Sequence, residues 1–387
     1  MSAPELHAKR SPSGSAGWLE CPGFAGGGGA NVNSAEGSVA HLVGSDELDC
    51  KVRAEERIGQ VIEQDGFKIE VTQDMVVDTM KYVNRVRDLV GSLPGAQLLV
   101  EQRVPLDHMT GETGATGTAD AVILAPLQGE ILIADLKFGR GVPVDAVGNT
   151  QLRMYASGAL RKYDLLGDFK RVRMIIDQPR LNAVSEDVIT VDELIQFEQH
   201  VRSRIAFNTT HPEARNPGEK QCRWCARKAN CKALQDQVMD MFEDVSPTEE
   251  TSDEELSLAM SKADMVEGWI KAIRAEVERR LIHGQPVKGF KLVEGKRGPR
   301  KWTDAKEAEA ALKAMRLTKD QMYELSLISP TTAEKLAKAG DLGDRQWDRL
   351  QQFISQAEGR PSVAPESDKR PALLTSASAS DFDDVSN

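Results

Sequence analysis

Acidic and basic side chains at short, fixed spacings mark two neighbouring segments of this sequence. The triplet Asp135-Leu136-Lys137 ends one β-rich run, and Asp120 ends the motif Gly117-Thr118-Ala119-Asp120 in the run before it. Side chains alternate along a strand, so Asp135 and Lys137 point to the same face. Mg²⁺ and Mn²⁺ are commonly held by one or two carboxylates together with substrate phosphate. The two aspartates therefore indicate a cation site, beside which Lys137 could orient a water molecule or stabilise developing negative charge.

A D-x-K triplet alone is weak support for such a site, because Asp and Lys two residues apart are common on exposed strands. Other residues strengthen it through their order along the chain. Gly37 precedes His41 on a predicted short helix, and Gln151 and Tyr155 share one face of a predicted helix after the D-x-K strand. Taken singly, His41 is equally typical of a partly buried or surface imidazole, and Gln151 and Tyr155 of ordinary packing.

The elements that position these residues follow from hydrophobic periodicity and turn signals. Thr116–Ala125 and Glu130–Lys137 flank a Pro-Leu-Gln-Gly turn and predict a β-hairpin. The pattern predicts further strands at 97–104 and 171–176 and helices at 35–42, 74–93 (with Asp74 as N-cap), 149–163 and 192–207. Beyond the cysteines it predicts an acidic linker at 246–255, a long amphipathic helix at 256–282, a basic hairpin or loop at 286–302, short helices to about 357 and a disordered tail.

Cysteines form a second candidate site. Cys222, Cys225 and Cys231 make a C-x2-C-x5-C array that can surround one centre. Cys21 is the candidate for a fourth ligand, and Cys50 is the alternative. Four thiolates can hold either Zn²⁺ or an iron–sulfur cluster.

The aromatic residue Trp224 lies inside the cysteine array, next to Arg223 and close to Arg227 and Lys228. Two interpretations are open for it. The indole could stack on a base while the cations contact phosphates, or it could shield the metal centre, which is the interpretation that we adopt here.

Charge is unevenly distributed. The 49 Lys and Arg against 60 Asp and Glu give a net charge of −11, which argues against a protein that coats nucleic acid nonspecifically. Locally the balance reverses: residues 137–180 hold nine basic and four acidic side chains, and 220–232 hold five basic and no acidic ones. No apolar run is long enough for a membrane span or a signal core, so we expect a cytoplasmic protein without structural disulfides.

The order of these motifs resembles the RecB-like branch of the PD-(D/E)XK nucleases, whose pattern is G-x-x-x-H, G-x-x-D, D-x-K and Q-x-x-x-Y. The resemblance implies that Mg²⁺ or Mn²⁺ binds His41, Asp120, Asp135 and the Leu136 carbonyl. It implies that Asp120, Asp135 and Lys137 are catalytic. Two further residues would contact the DNA backbone or brace the site, namely Gln151 and Tyr155. The implied fold is α/β, with a restriction-endonuclease-like core of a mixed central sheet flanked by helices, followed here by a mainly helical C-terminal region.

The cysteine pattern, with one residue before the nuclease core and three after it, is similar to that of AddB-type helicase–nucleases and CRISPR-associated RecB-like exonucleases. In those proteins four cysteines hold a 4Fe–4S cluster that fastens the ends of the domain together. The resemblance therefore implies a cluster on Cys21, Cys222, Cys225 and Cys231, with Zn²⁺ as the alternative. We expect a nuclease domain at 1–240, a linker at 241–255, a helical region at 256–357 and a tail at 358–387.

Segments such as WLECPG, AEGSVAH and DLKFGRGVPV also resemble a phage and prophage family with a RecB-like core. We therefore expect a Mg²⁺- or Mn²⁺-dependent deoxyribonuclease, an exonuclease of phage DNA replication or recombination. It would act in the cytoplasm of the host cell, on DNA, with a single-strand-binding or annealing protein as a further partner. The alternatives are a structure-specific, flap-type endonuclease and an inactive DNA-binding scaffold on the nuclease fold.

Overall fold

The chain forms two units, Met1–Val293 and Glu294–Asn387, of which the first holds both candidate sites. The computed structural model describes residues 9–26, 29–141, 143–244, 252–291, 293, 305–315, 319, 323 and 328–354. The predicted fold class is confirmed: a mixed sheet is flanked by helices, and the C-terminal region is helical.

A five-stranded sheet forms the centre of the first unit. A separate hairpin of β1 (Val61–Gln64) and β2 (Phe67–Glu70) precedes it. The strands of the large sheet follow in the order β3 (Gln97–Pro105), β4 (Thr116–Ala125), β5 (Glu130–Leu136), β6 (Arg171–Gln178) and β7 (Ala183–Thr190). Only the β5–β6 pair is parallel within this described sheet. A parallel pair needs a crossover connection, which α5 (Thr150–Tyr163) provides.

Helices cover both faces of the sheet. The first unit also contains α1 (Ser15–Trp18), α2 (Val32–Leu48), α3 (Gln73–Ser92), α4 (Asp107–Thr110), α6 (Val191–Thr210), α7 (Glu219–Arg223), α8 (Lys232–Asp244) and α9 (Asp253–Ile282). Alternate residues of β4 divide between two cores. Val122 and Leu124 pack with residues of α5 and α6, whereas Ala121 and Ile123 pack with residues of α3. Strand alternation thus gives the sheet two apolar faces.

Most predicted elements agree with the structure, including the hairpin of β4 and β5. The predicted N-cap of α3 is wrong: Thr72 caps this helix by accepting a bond of 3.1 Å from the N–H of Met75, and Asp74 lies in the first turn. The predicted short helix around His41 is longer, because Asn31 caps it and it continues to Leu48. Prediction missed β1, β2, β7 and α8, and it also missed the short helices α1, α4 and α7. Strand β7 was missed because its alternating pattern contains Glu186 and Asp187, which are uncommon in strands.

The segment after the cysteines is helical on both sides of residues 245–251, which lie outside the described part. Helix α8 continues to Asp244, and α9 begins at Asp253 after a capping box made by Ser252 and Glu255. Acidic side chains in this first turn complement the positive end of the helix dipole. Farther along, Glu276 of α9 accepts a bond of 3.4 Å from the Asn230 side chain, so the helix contacts the cysteine segment.

The second unit contains α10 (Ala305–Ala314), α11 (Pro330–Lys338) and α12 (Asp344–Gln351). Much of the predicted basic loop at 286–302 and all of the predicted tail from 358 onward fall outside the described residues. Within the described residues, no helix combines the length and the apolar character needed to cross a membrane.

Candidate functional site

The β4–β5 hairpin opens at its two aspartates. Pairing between these strands ends at Ala121 and Ala134, so Asp120 and Asp135 are the next two residues in register. Beyond this point β4 stays paired with β3, while β5 stays paired with β6. The backbone N–H of Leu136 donates to Oδ2 of Asp120 over 2.8 Å. This side-chain acceptor satisfies an amide that the separated strands no longer pair. The mouth of the opening therefore carries two carboxylates.

His41 reaches the same opening from α2. Its Nδ1 lies 3.3 Å from Oδ1 of Asp120. Burial disfavours the charged imidazole, but the charge and hydrogen bond of Asp120 outweigh it and raise the pKa of His41 to about 9. Burial likewise opposes ionisation of Asp120, yet His41 holds the pKa of that carboxyl below its ordinary value. Without a bound cation, the two side chains form an ion pair.

Lys137 is held on the other side of the opening. Its Nζ lies 2.7 Å from Oδ2 of Asp135 and donates to Oε1 of Gln151 over 3.2 Å. Gln151 in turn donates to the hydroxyl of Tyr155 over 3.2 Å. Burial raises the pKa of Asp135, and Asp135 raises the pKa of Lys137 in spite of that residue's own burial. The D-x-K and Q-x-x-x-Y motifs thus form one hydrogen-bonded group.

Glu101 is a candidate site residue that sequence reasoning missed. The β3–β4 register places it opposite Asp120, although these two residues are left unpaired and the φ of Glu101 is 49°. Ligand atoms of His41, Glu101 and Asp120 all lie within 4.8 Å of one another. Loss of hydration and the charge of Asp120 raise the pKa of Glu101 to about 7. The sequence does show an acidic side chain inside the largely apolar strand segment LLVEQRV. It does not show which residue of β4 lies opposite that side chain.

One imidazole and two carboxylates are a donor set that suits a divalent cation. The site residues predicted from the sequence converge, but Asp135 is engaged by Lys137 rather than by His41. Ligation by Asp135 and by the Leu136 carbonyl stays a prediction. So does contact of Gln151 and Tyr155 with DNA.

The four cysteines predicted as ligands line one cavity of about 280 Å³. Backbone amides donate to two of the sulfurs: the N–H of Asn216 to Cys21 and that of Gly218 to Cys222, each over 3.4 Å. Burial, together with the three other cysteines, raises the pKa of the Cys222 thiol. Cys50 is exposed and is not among the described residues that line the cavity. Four thiolates around one cavity are a donor set that either Zn²⁺ or an iron–sulfur cluster could use.

Cys21 is positioned by three side chains that we call the carbonyl clamp: Arg204, Asn208 and Asn216. Asn208 donates to the carbonyl of Trp18 over 2.6 Å, and Arg204 donates to that of Leu19 over 2.6 Å. Asn216 donates to the carbonyl of Glu20 over 3.1 Å. Carbonyls at the end of a helix lack intrahelical partners, and the clamp supplies them at the end of α1. Protein contacts thus place Cys21 at the cavity.

Trp224 does not cover the cysteine cavity. Its side chain is 67% exposed, and it is not among the described residues that line the cavity. The interpretation that Trp224 shields the metal centre is therefore wrong.

Fold and site together define an α/β protein with a candidate cation site at an opened hairpin and a four-cysteine cavity. The model of a family described as "Protein of unknown function (DUF2800)" matches residues 7–371, and the chain belongs to this family. Among solved structures, one titled "Crystal structure of SSO0001" is similar at 15% identity, over 51% of this chain and 82% of that chain, with a TM-score of 0.22.

Proposed function

We propose that this protein is a Mg²⁺- or Mn²⁺-dependent nuclease that hydrolyses phosphodiester bonds in DNA, with a RecB-like, PD-(D/E)XK core. The observation that carries the proposal is the convergence of His41, Glu101 and Asp120 beside the Asp135–Lys137 pair. The order of the four sequence motifs supports the same conclusion.

The residues divide into two functional groups. His41, Asp120 and Glu101 would hold a divalent cation, which when bound neutralises phosphate charge and lowers the pKa of water. Asp135 and Gln151 hold the ammonium of Lys137 toward the opening, where it can stabilise the negative charge that develops on a phosphate under attack. Tyr155 fixes the Gln151 amide through its hydroxyl.

The direct test is cleavage of end-labelled linear DNA with Mn²⁺. Asp135→Asn and Lys137→Ala should each lower the rate by about 100-fold or more, as is typical when a stabilising group is removed. The chain offers a matched control in Asp168-Phe169-Lys170, a second D-x-K triplet with an exposed ion pair of 2.6 Å. Asp168→Asn and Lys170→Ala should retain full activity. Equal activity in both sets of variants would remove the catalytic assignment.

Exonuclease action is the specific form that we propose, in phage DNA replication or recombination. The segments that resemble the phage and prophage family support this choice. Linear and circular forms of one plasmid separate the alternatives, because an exonuclease degrades only the linear form. Cleavage of the circle or of a flap would assign a structure-specific endonuclease. Binding of DNA ends without cleavage in any divalent metal would assign an inactive scaffold.

The cysteine cavity, we propose further, holds a 4Fe–4S cluster with a structural role. The support is the convergence of Cys21, Cys222, Cys225 and Cys231 on one cavity, together with the resemblance of their spacing along the chain to that of the cluster-binding nucleases. Anaerobically purified protein should be brown and contain about four iron atoms per chain. Replacement of any of the four by Ala should remove the colour, whereas Cys50→Ala should keep it. Colourless protein with stoichiometric zinc would reject the cluster.

A further inference from the structure

Arg180 connects two segments that carry residues of the candidate cation site. It lies just after β6, and its guanidinium donates two hydrogen bonds to the carboxylate of Glu36 on α2, from Nη1 over 2.7 Å and from Nη2 over 2.9 Å. Its Cζ also lies 4.4 Å from the ring centroid of Phe138. Phe138 directly follows Lys137, and Glu36 precedes His41 by five residues. One side chain therefore contacts both the helix of the imidazole and the segment of the lysine.

The pair between Arg180 and Glu36 is largely withdrawn from water. The Arg180 side chain is 14% exposed, and that of Glu36 is 28% exposed. The Nε atom of Arg180 is buried and has no hydrogen-bond partner among the residues that the structure describes. Two parallel bonds from a guanidinium to a carboxylate fix the orientation of the pair as well as its distance. The orientation of this guanidinium therefore depends on Glu36.

Helix α2 needs such a directional contact because its buried apolar residues around His41 are small. Four of them pack in one core cluster with Phe138, namely Ala35, Val39, Ala40 and Val43. Burial of apolar surface is nondirectional, so small side chains alone fix the rotation of a helix only loosely. Glu36 lies about 7.5 Å along the helix axis before His41. Its two bonds to Arg180 therefore help to determine where the imidazole reaches.

Arg180 is also joined to the lysine segment through the backbone. The carbonyl of Asp177, three residues earlier, accepts the N–H of Lys137 over 2.9 Å. Phe138 is buried, so its ring is a fixed surface on which the guanidinium rests through a cation–π contact. A shift of Arg180 would therefore change the separation between Lys137 and His41.

We propose that Arg180 is a positioning residue of the candidate cation site, which holds α2 so that His41 faces the same opening as Lys137. The inference rests on the proposed function, since it assumes that a divalent cation binds beside His41. The role needs no contact between Arg180 and DNA. Loss of Arg180 should therefore lower the affinity for the cation without removing a ligand.

The test measures Mn²⁺ affinity by calorimetry, with the full chain and without DNA. Arg180→Ala should weaken Mn²⁺ binding by about tenfold, as is typical when a contact that supports a metal ligand is lost. Glu36→Ala should weaken it similarly. The double variant should bind about as weakly as either single variant, because both changes break the same contact. Arg180→Lys should restore part of the affinity, because an ammonium can still bind the carboxylate but without two parallel bonds.

Arg10→Ala is the matched control. Arg10 also forms a partly buried ion pair with a residue 102 positions away, Glu112, over 3.1 Å, but neither residue lies on α2. This variant should bind Mn²⁺ as the wild type does. Hydrogen exchange of the metal-free protein supplies a second readout. Arg180→Ala should speed exchange of the backbone amides in α2 and leave those in α5 unchanged.

The outcomes separate this inference from the nuclease proposal. Equal Mn²⁺ affinity of wild type and Arg180→Ala overturns the inference alone if the wild type cleaves DNA. An equal loss of affinity in Arg180→Ala and Arg10→Ala also overturns it, because the effect would then be general destabilisation. Wild-type protein that binds no Mn²⁺ would overturn it together with the cation site. Mn²⁺ affinity that depends on Arg180 in a protein that cleaves no DNA would refute the nuclease and retain this inference.

Discussion

Gly117 lies so close to the ring of Tyr155 that a Cβ added to the glycine would come within 2.9 Å of Cε1. The same Cβ would lie 3.0 Å from Pro12 and 3.2 Å from Leu106. The first residue of the G-x-x-D motif is therefore required by packing, since Tyr155 holds Gln151 in the site. Gly37, the first residue of G-x-x-x-H, differs because a Cβ there would meet nothing within 4 Å.

These two glycines should respond oppositely to replacement by alanine. Gly117→Ala should lower the free energy of unfolding by about 1–3 kcal/mol through overpacking. Gly37→Ala should raise it by about 0.5–1 kcal/mol, because alanine favours the interior of a helix. Urea unfolding measures both. Gly91, in α3 with nothing near its Cβ, is the control and should behave as Gly37 does. A stabilising Gly117→Ala would contradict the packing role.

Glu101 should prove to be a residue at which stability and metal binding conflict. Its φ of 49° is strained for a residue with a side chain, at a cost of about 1–2 kcal/mol. Glycine removes this strain but weakens a strand, so Glu101→Gly should stabilise the metal-free protein by about 0.5–1 kcal/mol. It should also weaken Mn²⁺ binding by about tenfold or more, since one ligand is lost.

Asp65 provides the comparison for Glu101, because its φ of 51° lies in the turn between β1 and β2. Asp65→Gly should stabilise the protein and leave Mn²⁺ affinity unchanged. Calorimetric titration measures the Mn²⁺ affinity of Glu101→Gly and of Asp65→Gly. Identical affinities for these two variants would exclude Glu101 from the cation site.

The metal-free protein should lose stability as the pH rises. The folded-state pKa of His41, about 9, exceeds its ordinary value of 6.5, so its contribution is complete below pH 6.5 and is lost as pH rises through about 9. The raised pKa of Glu101, about 7 against 4.5, acts in the same direction, because ionisation is disfavoured in the fold. Melting temperatures in EDTA should fall over this range, and His41→Asn should flatten the profile. A rising profile would contradict the His41–Asp120 ion pair.

Binding of Mn²⁺ should release a proton from His41. Only the neutral imidazole can ligate a metal, so roughly one proton should leave per ion at about pH 7.5. Calorimetry in two buffers with different ionisation enthalpies counts the protons. His41→Asn should release fewer, and an unchanged count would show that His41 does not ligate the ion.

Loss of the carbonyl clamp should release the cluster that we propose at the four cysteines. Arg204→Ala together with Asn208→Ala removes the donors to Leu19 and Trp18, so Cys21 should no longer be held at the cavity. Iron content and visible absorption should fall while the sheet stays folded, as far-ultraviolet circular dichroism would show. Arg202→Ala is the control, since Arg202 lies on the same helix but donates to His108. Full iron content in the double variant would refute the positioning role.

Local motifs allowed much of this molecule to be predicted from its sequence. The hairpin, the D-x-K triplet and the Gln151–Tyr155 pair depend on residues close in the chain, where strand alternation and helical spacing determine the geometry. The cysteines could be grouped because their residue type is chemically distinctive.

Features that depend on nonlocal geometry were not predicted. Glu101 faces Asp120 through the register of β3 on β4, and its left-handed backbone leaves no trace in composition. The carbonyl clamp uses polar side chains to bind backbone oxygens, which any sequence possesses. Thr72 rather than Asp74 caps α3 because both residue types can cap and only the three-dimensional structure selects one.

The carbonyl clamp also has a consequence for biosynthesis. Trp18 and Asn208 are 190 positions apart, so the segment around Trp18 meets its partners only after α6 has been synthesised. At about 5–20 residues per second, this interval is roughly 10–40 s. During translation the sheet strands can assemble in order, while the segment around Cys21 waits for the last part of the domain. The segment around Cys21 is therefore made well before the residues that fix it in place.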